Sequence, residues 1–260
     1  MDIIRSKDNV HIKEVKKLKE KKYRVQKGKF LIEGFRFVRE ALYSDFKISS
    51  IFLKNDFEDK WKKFLLKENF RCDFPVYFVE KDVFKAMVNT ENPQGIAAVV
   101  ENRELKVKNE EGFYVLVDKI QDPGNMGTII RSAHASGALG VIITKGTVDI
   151  YNEKTLRSTM GSIFHVPVIY DEDLKKIELL KKSGFKLIGS SLDTDINFYD
   201  ANLKGKVIIA VGNEGNGLSK TIEDISDIKV KIPMPGGAES LNVSAAASIM
   251  MFEAVRQNLI

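Results

Sequence analysis

Apolar and polar positions follow two rhythms along the first hundred residues. Ile12, Val15, Leu18 and Val25 recur at helical spacing among lysines, which predicts one helix over residues 12–25. After Gly28, short apolar runs alternate with amphipathic stretches. They predict strands at 29–34, 48–54, 75–80 and 95–101 and helices at 35–44, 59–69 and 81–88. This alternation predicts a small α/β domain over residues 1–105, followed by a polar linker over residues 106–112.

A second alternation fills the chain from residue 113 to residue 260. Its Val- and Ile-rich runs predict strands at 113–118, 140–144, 166–169, 185–190, 206–211 and 228–232. Amphipathic stretches between them predict helices at 127–137, 153–160, 173–183, 218–223 and 242–258. Such strands between amphipathic helices are typical of a mostly parallel sheet with helices on both faces. The predicted fold class is α/β in both domains.

Composition excludes several classes of protein. The 260 residues are 43% apolar and 30% charged, and no apolar run approaches the roughly 18 residues of a membrane span. The N-terminal residues lack the apolar stretch of a secretory signal. Cys72 is the single cysteine, with no CxxC or Cys/His pattern for zinc. These features predict a cytoplasmic protein with neither a membrane nor a metal as partner.

Positive charge is concentrated at the N-terminal end. Residues 1–50 hold 14 Lys and Arg against 7 Asp and Glu, whereas the remaining residues hold 27 against 29. A partner with a phosphate backbone would favour this distribution. A solvated lysine-rich helix would produce it equally well, so charge alone leaves both interpretations open.

Three stretches of the second domain carry candidate chemistry, and the first is residues 118–138. A strand ends at Asp118, and a Pro-Gly turn leads to Asn125, which suits the N-cap of the following helix. Arg131 lies on the second turn of that helix. Open α/β sheets bind ligands at the carboxyl ends of their strands, which favours a binding site here. A capped helix with an exposed arginine and no function is the alternative, and this stretch alone does not decide between them.

The second stretch, residues 208–219, ends an apolar strand in a loop with Gly212, Gly215 and Gly217 around Glu214. Glycines allow positive φ and close approach of the backbone to a ligand. The loop matches neither the P-loop nor the dinucleotide fingerprint. Considered alone, such a loop is a weak signal and is more often a tight turn than a binding site.

The third stretch is residues 232–247. Its prolines and glycines stop a strand and force a loop before an alanine-rich helix. The side-chain oxygen of Asn242 can cap that helix. Capping accounts for only one polar residue, so it does not explain Ser244 in the first turn.

Taken in order, these stretches resemble the three motifs of SpoU-type RNA ribose 2′-O-methyltransferases. The motifs are NxGxxxR at 125–131, GNEGxG at 212–217 and IPMPGGAESLNVSAAA at 232–247. The first domain resembles the substrate-binding domain often joined to these enzymes, through residues 28–42 and 92–100, and is similar to small ribosomal RNA-binding proteins. The resemblance implies the SPOUT fold, in which the second domain forms a trefoil knot.

The resemblance also implies S-adenosylmethionine as cofactor, held by loops after the strands at 185–190, 206–211 and 228–232. The residues that it assigns to cofactor binding are Ser190, Leu192, Gly212, Asn213, Gly217, Ile232, Met234 and Leu241. The residues that it assigns to catalysis are Arg131, Asn125, Glu214, Ser244 and Asn242.

The implied reaction is attack by a ribose 2′-hydroxyl on the sulfonium methyl group. A guanidinium pKa above about 12 makes Arg131 a poor base, so we interpret it as an anchor for RNA phosphate and hydroxyl groups. A neighbouring phosphate or water would take the proton, while Asn242 and Ser244 orient the loop or the substrate. His134 and His165 are interpreted as core or surface residues, and Cys72 as a packing residue.

The family is dimeric, so the resemblance implies a homodimer formed partly by the C-terminal helix. The basic N-terminal segment would then bind RNA, with Tyr23 as a possible stacking platform and Phe35 favoured as a core residue. The candidate RNA-binding residues are Lys16, Lys17, Lys21, Lys22, Arg24 and Arg36.

The leading hypothesis is methylation of ribosomal RNA, 23S RNA in particular. Transfer RNA is an alternative, although stand-alone tRNA enzymes of this type often lack the first domain. A non-catalytic RNA-binding assembly factor is a different class of answer, and intact motif residues argue against it. A resistance enzyme would share the chemistry and differ only in its target nucleotide.

Overall fold

The computed structural model describes residues 3–88, 90–103 and 106–259 and divides into two compact units. The first comprises the described residues up to Arg103 together with Tyr151–Glu153, and the second comprises the others. Within the predicted linker, Val107 packs against the core of the second unit, and the Lys108 N–H donates to the Tyr114 hydroxyl at 2.6 Å. These residues therefore pack as part of the second unit.

The first unit is built on a five-stranded mixed sheet with strand order β1-β4-β3-β5-β2. Its elements are β1 Ile3–Ile4, α1 Val10–Lys17, α2 Lys21–Lys27, β2 Lys29–Glu33, α3 Phe35–Leu42, β3 Ile48–Lys54, α4 Glu58–Glu68, β4 Val76–Val79, α5 Lys81–Met87 and β5 Ile96–Glu101. Strands β1 and β3 pair parallel with β4, whereas β5 pairs antiparallel with β3 and β2. One core cluster of this unit packs Ile12, Val15 and Leu18 against Phe52 and Phe84.

The prediction of a single helix over residues 12–25 was wrong, because the chain turns between α1 and α2. Arg24 is buried, and its Nη1 donates to the carbonyls of Leu18 and Lys19, both at 2.7 Å. These bonds satisfy carbonyl groups at the end of α1 that a continuous helix would have bonded itself. The turn leaves Val25 71% exposed, away from the apolar stripe on which the prediction placed it.

The second unit contains a six-stranded sheet in which all neighbouring strands are parallel, with order β11-β9-β10-β6-β7-β8. Its elements are β6 Gly112–Val117, α6 Pro123–Ala135, β7 Gly140–Ile143, α7 Glu153–Thr159, β8 Val168–Tyr170, α8 Lys175–Lys182, β9 Lys186–Ser190, β10 Lys206–Val211, α9 Lys220–Ile225, β11 Ile228–Val230 and α10 Val243–Leu259. The central strands are almost wholly buried, as their continuous apolar runs predict.

The parallel arrangement brings all three motifs to one edge of this sheet. The carboxyl ends of β6 and β10 lie side by side, because Val117 pairs with Val211. Helix α10 returns to pack against α6 and β10, and the hydroxyls of Ser132 and Ser248 lie 2.8 Å apart. None of the helices in the described ranges is long and apolar enough to cross a membrane.

Candidate active site

The first motif begins with a capped helix, but its cap is not Asn125. Helix α6 starts at Pro123, and the Asp122 side chain accepts a hydrogen bond from the Asn125 N–H at 2.8 Å. Proline suits the first helical position because its missing N–H would have no intrahelical partner there. The prediction that Asn125 caps a helix over 127–137 was therefore wrong. The helix begins one turn earlier, and the amide side chain of Asn125 is left to make other contacts.

A chain of hydrogen bonds joins the three motifs through that amide. Asn242 Nδ2 donates to Asn125 Oδ1 at 2.9 Å, and Asn125 Nδ2 donates to Glu214 Oε1 at 3.1 Å. Asn242 Oδ1 in turn accepts from the N–H of Ser244 at 2.9 Å and from its hydroxyl at 2.7 Å. Asn242 thus caps α10, as predicted. The hydroxyl of Ser244 binds the same cap oxygen.

Glu214 is held as an ionised hydrogen-bond acceptor. Its carboxylate also accepts from the backbone N–H groups of Gln121 at 3.3 Å and Asp122 at 3.2 Å. Burial raises the pKa of Glu214, but the bonds from Asn125 and from the backbone outweigh it and hold the pKa below its ordinary value. A carboxylate stabilised in this way is a poor proton acceptor, so its role is to bind the first motif to the second.

The glycine loop after β10 closes on itself. The N–H of Asn213 donates to the Gly217 carbonyl at 2.8 Å, and the reciprocal bond is 3.0 Å. A Cβ on Gly212 would lie 2.1 Å from the carbonyl carbon of Gly217, so no larger residue fits there. Glycine is therefore required at position 212 because the backbone of the same loop, at Gly217, packs against it. Gly217 has φ +67, the positive value that glycine adopts without strain.

A cavity of about 580 Å³ opens beside this loop. Its walls come from the ends of β9, β10 and β11 and the start of α10. All eight residues predicted to bind a cofactor line it: Ser190, Leu192, Gly212, Asn213, Gly217, Ile232, Met234 and Leu241. Lining residues to which the sequence gave no individual role include Glu223, Glu239 and Ser240. The signal that could have identified Ser240 is its position as a polar residue just after a glycine-rich stretch.

Arg131 stands apart from the hydrogen-bonded chain. It is exposed on α6 and has no hydrogen-bond or ion-pair partner within the described part of the chain. The six residues between Asn125 and Arg131 span about 1.7 helical turns, so the two side chains leave α6 in different directions. Of the five predicted catalytic residues, the structure links Asn125, Glu214, Asn242 and Ser244 directly.

Asp118 is a buried carboxylate at the end of β6 to which the sequence analysis gave no role. It accepts from the Thr144 hydroxyl at 2.7 Å and from the Ser219 N–H at 2.6 Å. Because Ser219 precedes α9, these bonds connect the ends of β6 and β7 to the segment that follows the glycine loop. Its position at the end of an apolar strand was the only signal in the sequence.

The two candidate histidines pack on each other. The rings of His134 and His165 stack with centroids 4.8 Å apart, and His134 Nδ1 lies 3.1 Å from the Ser162 hydroxyl. Both residues are exposed. Their arrangement agrees with the interpretation of both as surface residues.

The basic residues of the first unit fall into two groups. Lys17, Lys21, Lys22 and Arg36 are exposed, and Lys16 is half-buried. Arg24 must be removed from the predicted RNA-binding set, because it is buried and its guanidinium binds the carbonyls at the end of α1.

Comparison with protein families gives a separate line of evidence. Residues 112–252 match the SpoU rRNA Methylase family, and residues 9–98 match the MRM3-like substrate binding domain. The chain belongs to the SpoU rRNA methylase family. The two matches fall on the two compact units of this SpoU protein.

Individual relatives match this SpoU chain over almost its whole length. It is 36% identical over 252 residues to the 23S rRNA (guanosine(2553)-2'-O)-methyltransferase RlmP of Bacillus subtilis, which covers 97% of this chain and 98% of the relative. An AdoMet-bound rRNA methyltransferase from Sinorhizobium meliloti has a TM-score of 0.87 at 29% identity, covering 100% of this chain and 98% of the other. The SpoU methyltransferase AviRb from Streptomyces viridochromogenes, also in complex with AdoMet, has a TM-score of 0.87 at 29% identity, covering 96% and 98%.

These likenesses confirm the predicted SpoU family, the α/β fold class and RNA methyltransferase activity with S-adenosylmethionine as cofactor. The cavity suits that cofactor. Its 580 Å³ lies within the range of about 300–1,000 Å³ typical of small-molecule sites. Apolar Val211 and Val230 line it beside the backbone of the glycine loop, and at Gly217 no atom lies within 4 Å of the place where a Cβ would stand.

Proposed function

We propose that this protein methylates a ribose 2′-hydroxyl of 23S ribosomal RNA and that the linked residues of the three motifs form its active site. The observation that carries the proposal is the hydrogen-bonded chain from Ser244 through Asn242 and Asn125 to Glu214, which lines the cavity that the glycine loop shapes. It places four polar side chains from distant parts of the sequence at one point. A structural role in capping α10 requires only the first two.

The side chains act by orientation. When bound, the cofactor supplies an electrophilic sulfonium methyl group: the ribose oxygen forms the new O–CH₃ bond, the S–CH₃ bond breaks, and its electron pair leaves the sulfur neutral. Asn242 and Asn125 fix the loops around the reacting atoms. Holding the hydroxyl in line with the methyl group lowers the barrier to transfer, and the more precise the alignment, the larger this effect. The proton of the hydroxyl passes to a neighbouring RNA phosphate or to water, because Glu214 is held ionised by its donors.

Arg131 anchors the RNA in this proposal. Its guanidinium is exposed and has no partner among the described residues, and a guanidinium forms strong paired hydrogen bonds with phosphate. An ammonium cannot reproduce that planar, two-pronged geometry. Arg131→Lys should therefore lower methyl transfer at least tenfold with little change in cofactor affinity, and unchanged turnover would contradict the role.

The RNA target rests on two supports. RlmP of Bacillus subtilis, a 23S rRNA methyltransferase, is similar over nearly the full chain, and the first unit matches a substrate-binding domain. We assign RNA contact in that unit to Lys16, Lys17, Lys21, Lys22 and Arg36. The guanosine in the relative's name is the first nucleotide to test.

We further propose a homodimer and a cytoplasmic location. Phe252 is 49% exposed and Leu259 is 80% exposed on α10, and large apolar side chains of this kind are suited to a subunit interface. A cytoplasmic location follows from the proposed ribosomal substrate. Analytical ultracentrifugation of the protein and of Phe252→Glu would test the dimer, since the variant should sediment as a monomer.

Tritium transfer from labelled S-adenosylmethionine separates the candidate functions. Unmethylated 23S RNA and transfer RNA would be incubated in parallel with the protein, and the products hydrolysed in alkali. Label in alkali-resistant dinucleotides from 23S RNA is the expected result. Label in transfer RNA alone would overturn the substrate. If neither RNA is labelled, the assay is repeated with pre-ribosomal particles, and cofactor binding without transfer to those particles would favour the non-catalytic assembly factor.

A further inference from the structure

Glu223 is a carboxylate in the wall of the cofactor cavity that no role yet accounts for. It lies on α9, which packs against β9, and it is half-buried. Its side chain has no hydrogen-bond or ion-pair partner in the described ranges of the chain. The next residue, Asp224, is exposed and pairs with the Nζ of Lys220. The carboxylate of Glu223 is therefore not occupied by a hydrogen bond or an ion pair within these ranges and is available to a ligand in the cavity.

The charge of the cavity wall has one sign. Four carboxylates line it, those of Asp193, Glu214, Glu223 and Glu239, and the described lining includes no Lys, Arg or His. Glu214 is taken up by its donors from the first motif, whereas Asp193 and Glu239 are exposed to solvent. Glu223 is half-buried, and within the described ranges only the Lys220 ammonium attracts it, from beyond ion-pair distance. Water screens a half-buried carboxylate less than an exposed one. Glu223 can therefore act on a charged ligand more strongly than Asp193 or Glu239 can.

The reaction changes the charge of the molecule in this cavity. S-Adenosylmethionine carries a sulfonium, an ammonium and a carboxylate, for a net charge of +1. After methyl transfer the sulfur is a neutral thioether, so S-adenosylhomocysteine has a net charge of zero. A carboxylate in the cavity wall stabilises the first molecule relative to the second, because the two differ by the positive sulfonium charge, whereas their ammonium and carboxylate groups are the same.

We propose that Glu223 makes the cavity selective for the cationic cofactor over its neutral product. Asn125 and Asn242 lie towards β6 and α10, whereas Glu223 lies on the β9 side, so Glu223 acts on binding and is not one of the groups that orient the reacting atoms. The selectivity favours exchange of product for fresh cofactor. The inference rests on the cofactor of the family and not on the proposed 23S RNA target.

Titration calorimetry with three ligands tests this proposal in the absence of RNA. The ligands are S-adenosylmethionine, S-adenosylhomocysteine and sinefungin, in which an amine replaces the sulfonium methyl and keeps the net charge at +1. Glu223→Gln should weaken the two cationic ligands about three- to tenfold, the effect of one partly screened charge several ångströms away. The neutral product should change less than twofold.

Two further variants keep the experiment decisive. Glu172→Gln makes the same chemical change at an exposed position outside the cavity lining and should leave all three affinities unchanged. Glu223→Asp keeps the charge and should keep the preference for the cationic ligands. Equal losses for all three ligands in Glu223→Gln would mean a purely structural role, and no loss for any would remove Glu223 from the site; either result overturns the proposal. Because no RNA is present, a failure of 23S RNA methylation would leave this result standing.

Discussion

At the scale of single residues, the amide groups of Asn125 and Asn242 make the hydrogen bonds that join the three motifs. Each uses its oxygen and its nitrogen in opposite directions, so the order of bonds runs one way from Ser244 to Glu214. The carboxamide of asparagine carries an acceptor oxygen and a donor nitrogen on one planar group, so it can accept on one side and donate on the other. The chain of bonds therefore depends on amides at both positions.

Asn242→Asp separates capping from the link between motifs. Aspartate still accepts the Ser244 N–H and caps α10, so the free energy of unfolding should stay near that of the original protein. It cannot donate to Asn125. If the Asn125 amide stays as it is, its oxygen faces the aspartate; if the amide turns over, its oxygen faces Glu214. Methyl transfer should fall at least tenfold.

Asn242→Ala is the control, because it removes the cap as well and should cost about 1 kcal/mol of stability in thermal or urea unfolding. Retention of full activity by the aspartate variant would contradict the role of this bond.

Glu214 gives the link a pH dependence. Its folded pKa lies below its ordinary value, so its contribution to stability is complete at neutral pH and is lost as pH falls through the folded pKa, below about 4.3. Other carboxylates titrate in the same range, so the informative quantity is the difference between the original protein and Glu214→Gln.

Thermal unfolding should show a stability gap between these two proteins that is largest at pH 6–7 and narrows below pH 4.3. A gap that stays constant with pH would mean that the charge of Glu214 contributes nothing.

At the scale of elements, the loop after β10 is shaped by contacts within itself. Asn213 and Gly217 bond to each other across the loop, and Gly212 sits where the two backbone segments meet. Gly212 is not among the glycines with positive φ, so glycine is required there for the space that its missing side chain leaves and not for its conformation.

Gly212→Ala should open this loop. The new Cβ would lie 2.1 Å from Gly217 backbone atoms, which cannot move away as a flexible side chain could, so we expect a loss of about 1–3 kcal/mol in stability. Affinity for S-adenosylmethionine should fall at least tenfold. Gly215→Ala is the matched control in the same loop, since its Cβ would meet nothing closer than 3.8 Å. Equal behaviour of the two variants in calorimetry would contradict the account.

The sequence predicted the strands well because each is a continuous apolar run bounded by turn residues. It could not predict β1, whose two residues are defined only by pairing with β4. The break between α1 and α2 was missed because it depends on the burial of Arg24, a long-range property. The eight residues predicted to bind the cofactor, all of which line the cavity, were assigned through the family resemblance. Glu223 was not, because nothing in a short amphipathic helix marks the side that faces a cavity.

At the scale of the whole molecule, we propose that the uneven charge of the chain serves RNA binding. The excess of positive charge lies in the first 50 residues, and the exposed lysines of α1 and α2 belong to the unit that matches a substrate-binding domain. Binding to RNA is dominated by release of counterions from phosphates, so these residues should set the affinity for RNA without changing the chemistry.

Lys21→Glu combined with Lys22→Glu tests that division. Filter binding at about 0.1 M salt should show RNA affinity reduced at least tenfold and a shallower dependence on salt, while affinity for S-adenosylmethionine is unchanged. Lys182→Glu with Lys204→Glu changes the net charge equally at two exposed positions that precede β9 and β10, at the edge of the sheet opposite the motifs. If both pairs weaken RNA binding equally, the α2 lysines have no special part in it.

The most direct test of the central claim is to map ribose methylation in 23S RNA from cells that lack this protein. The account predicts that one 2′-O-methylated nucleotide is lost, that the original protein restores it, and that Arg131→Ala, produced at the same level, does not. An unchanged methylation pattern in 23S RNA, or restoration by the Arg131 variant, would contradict the account.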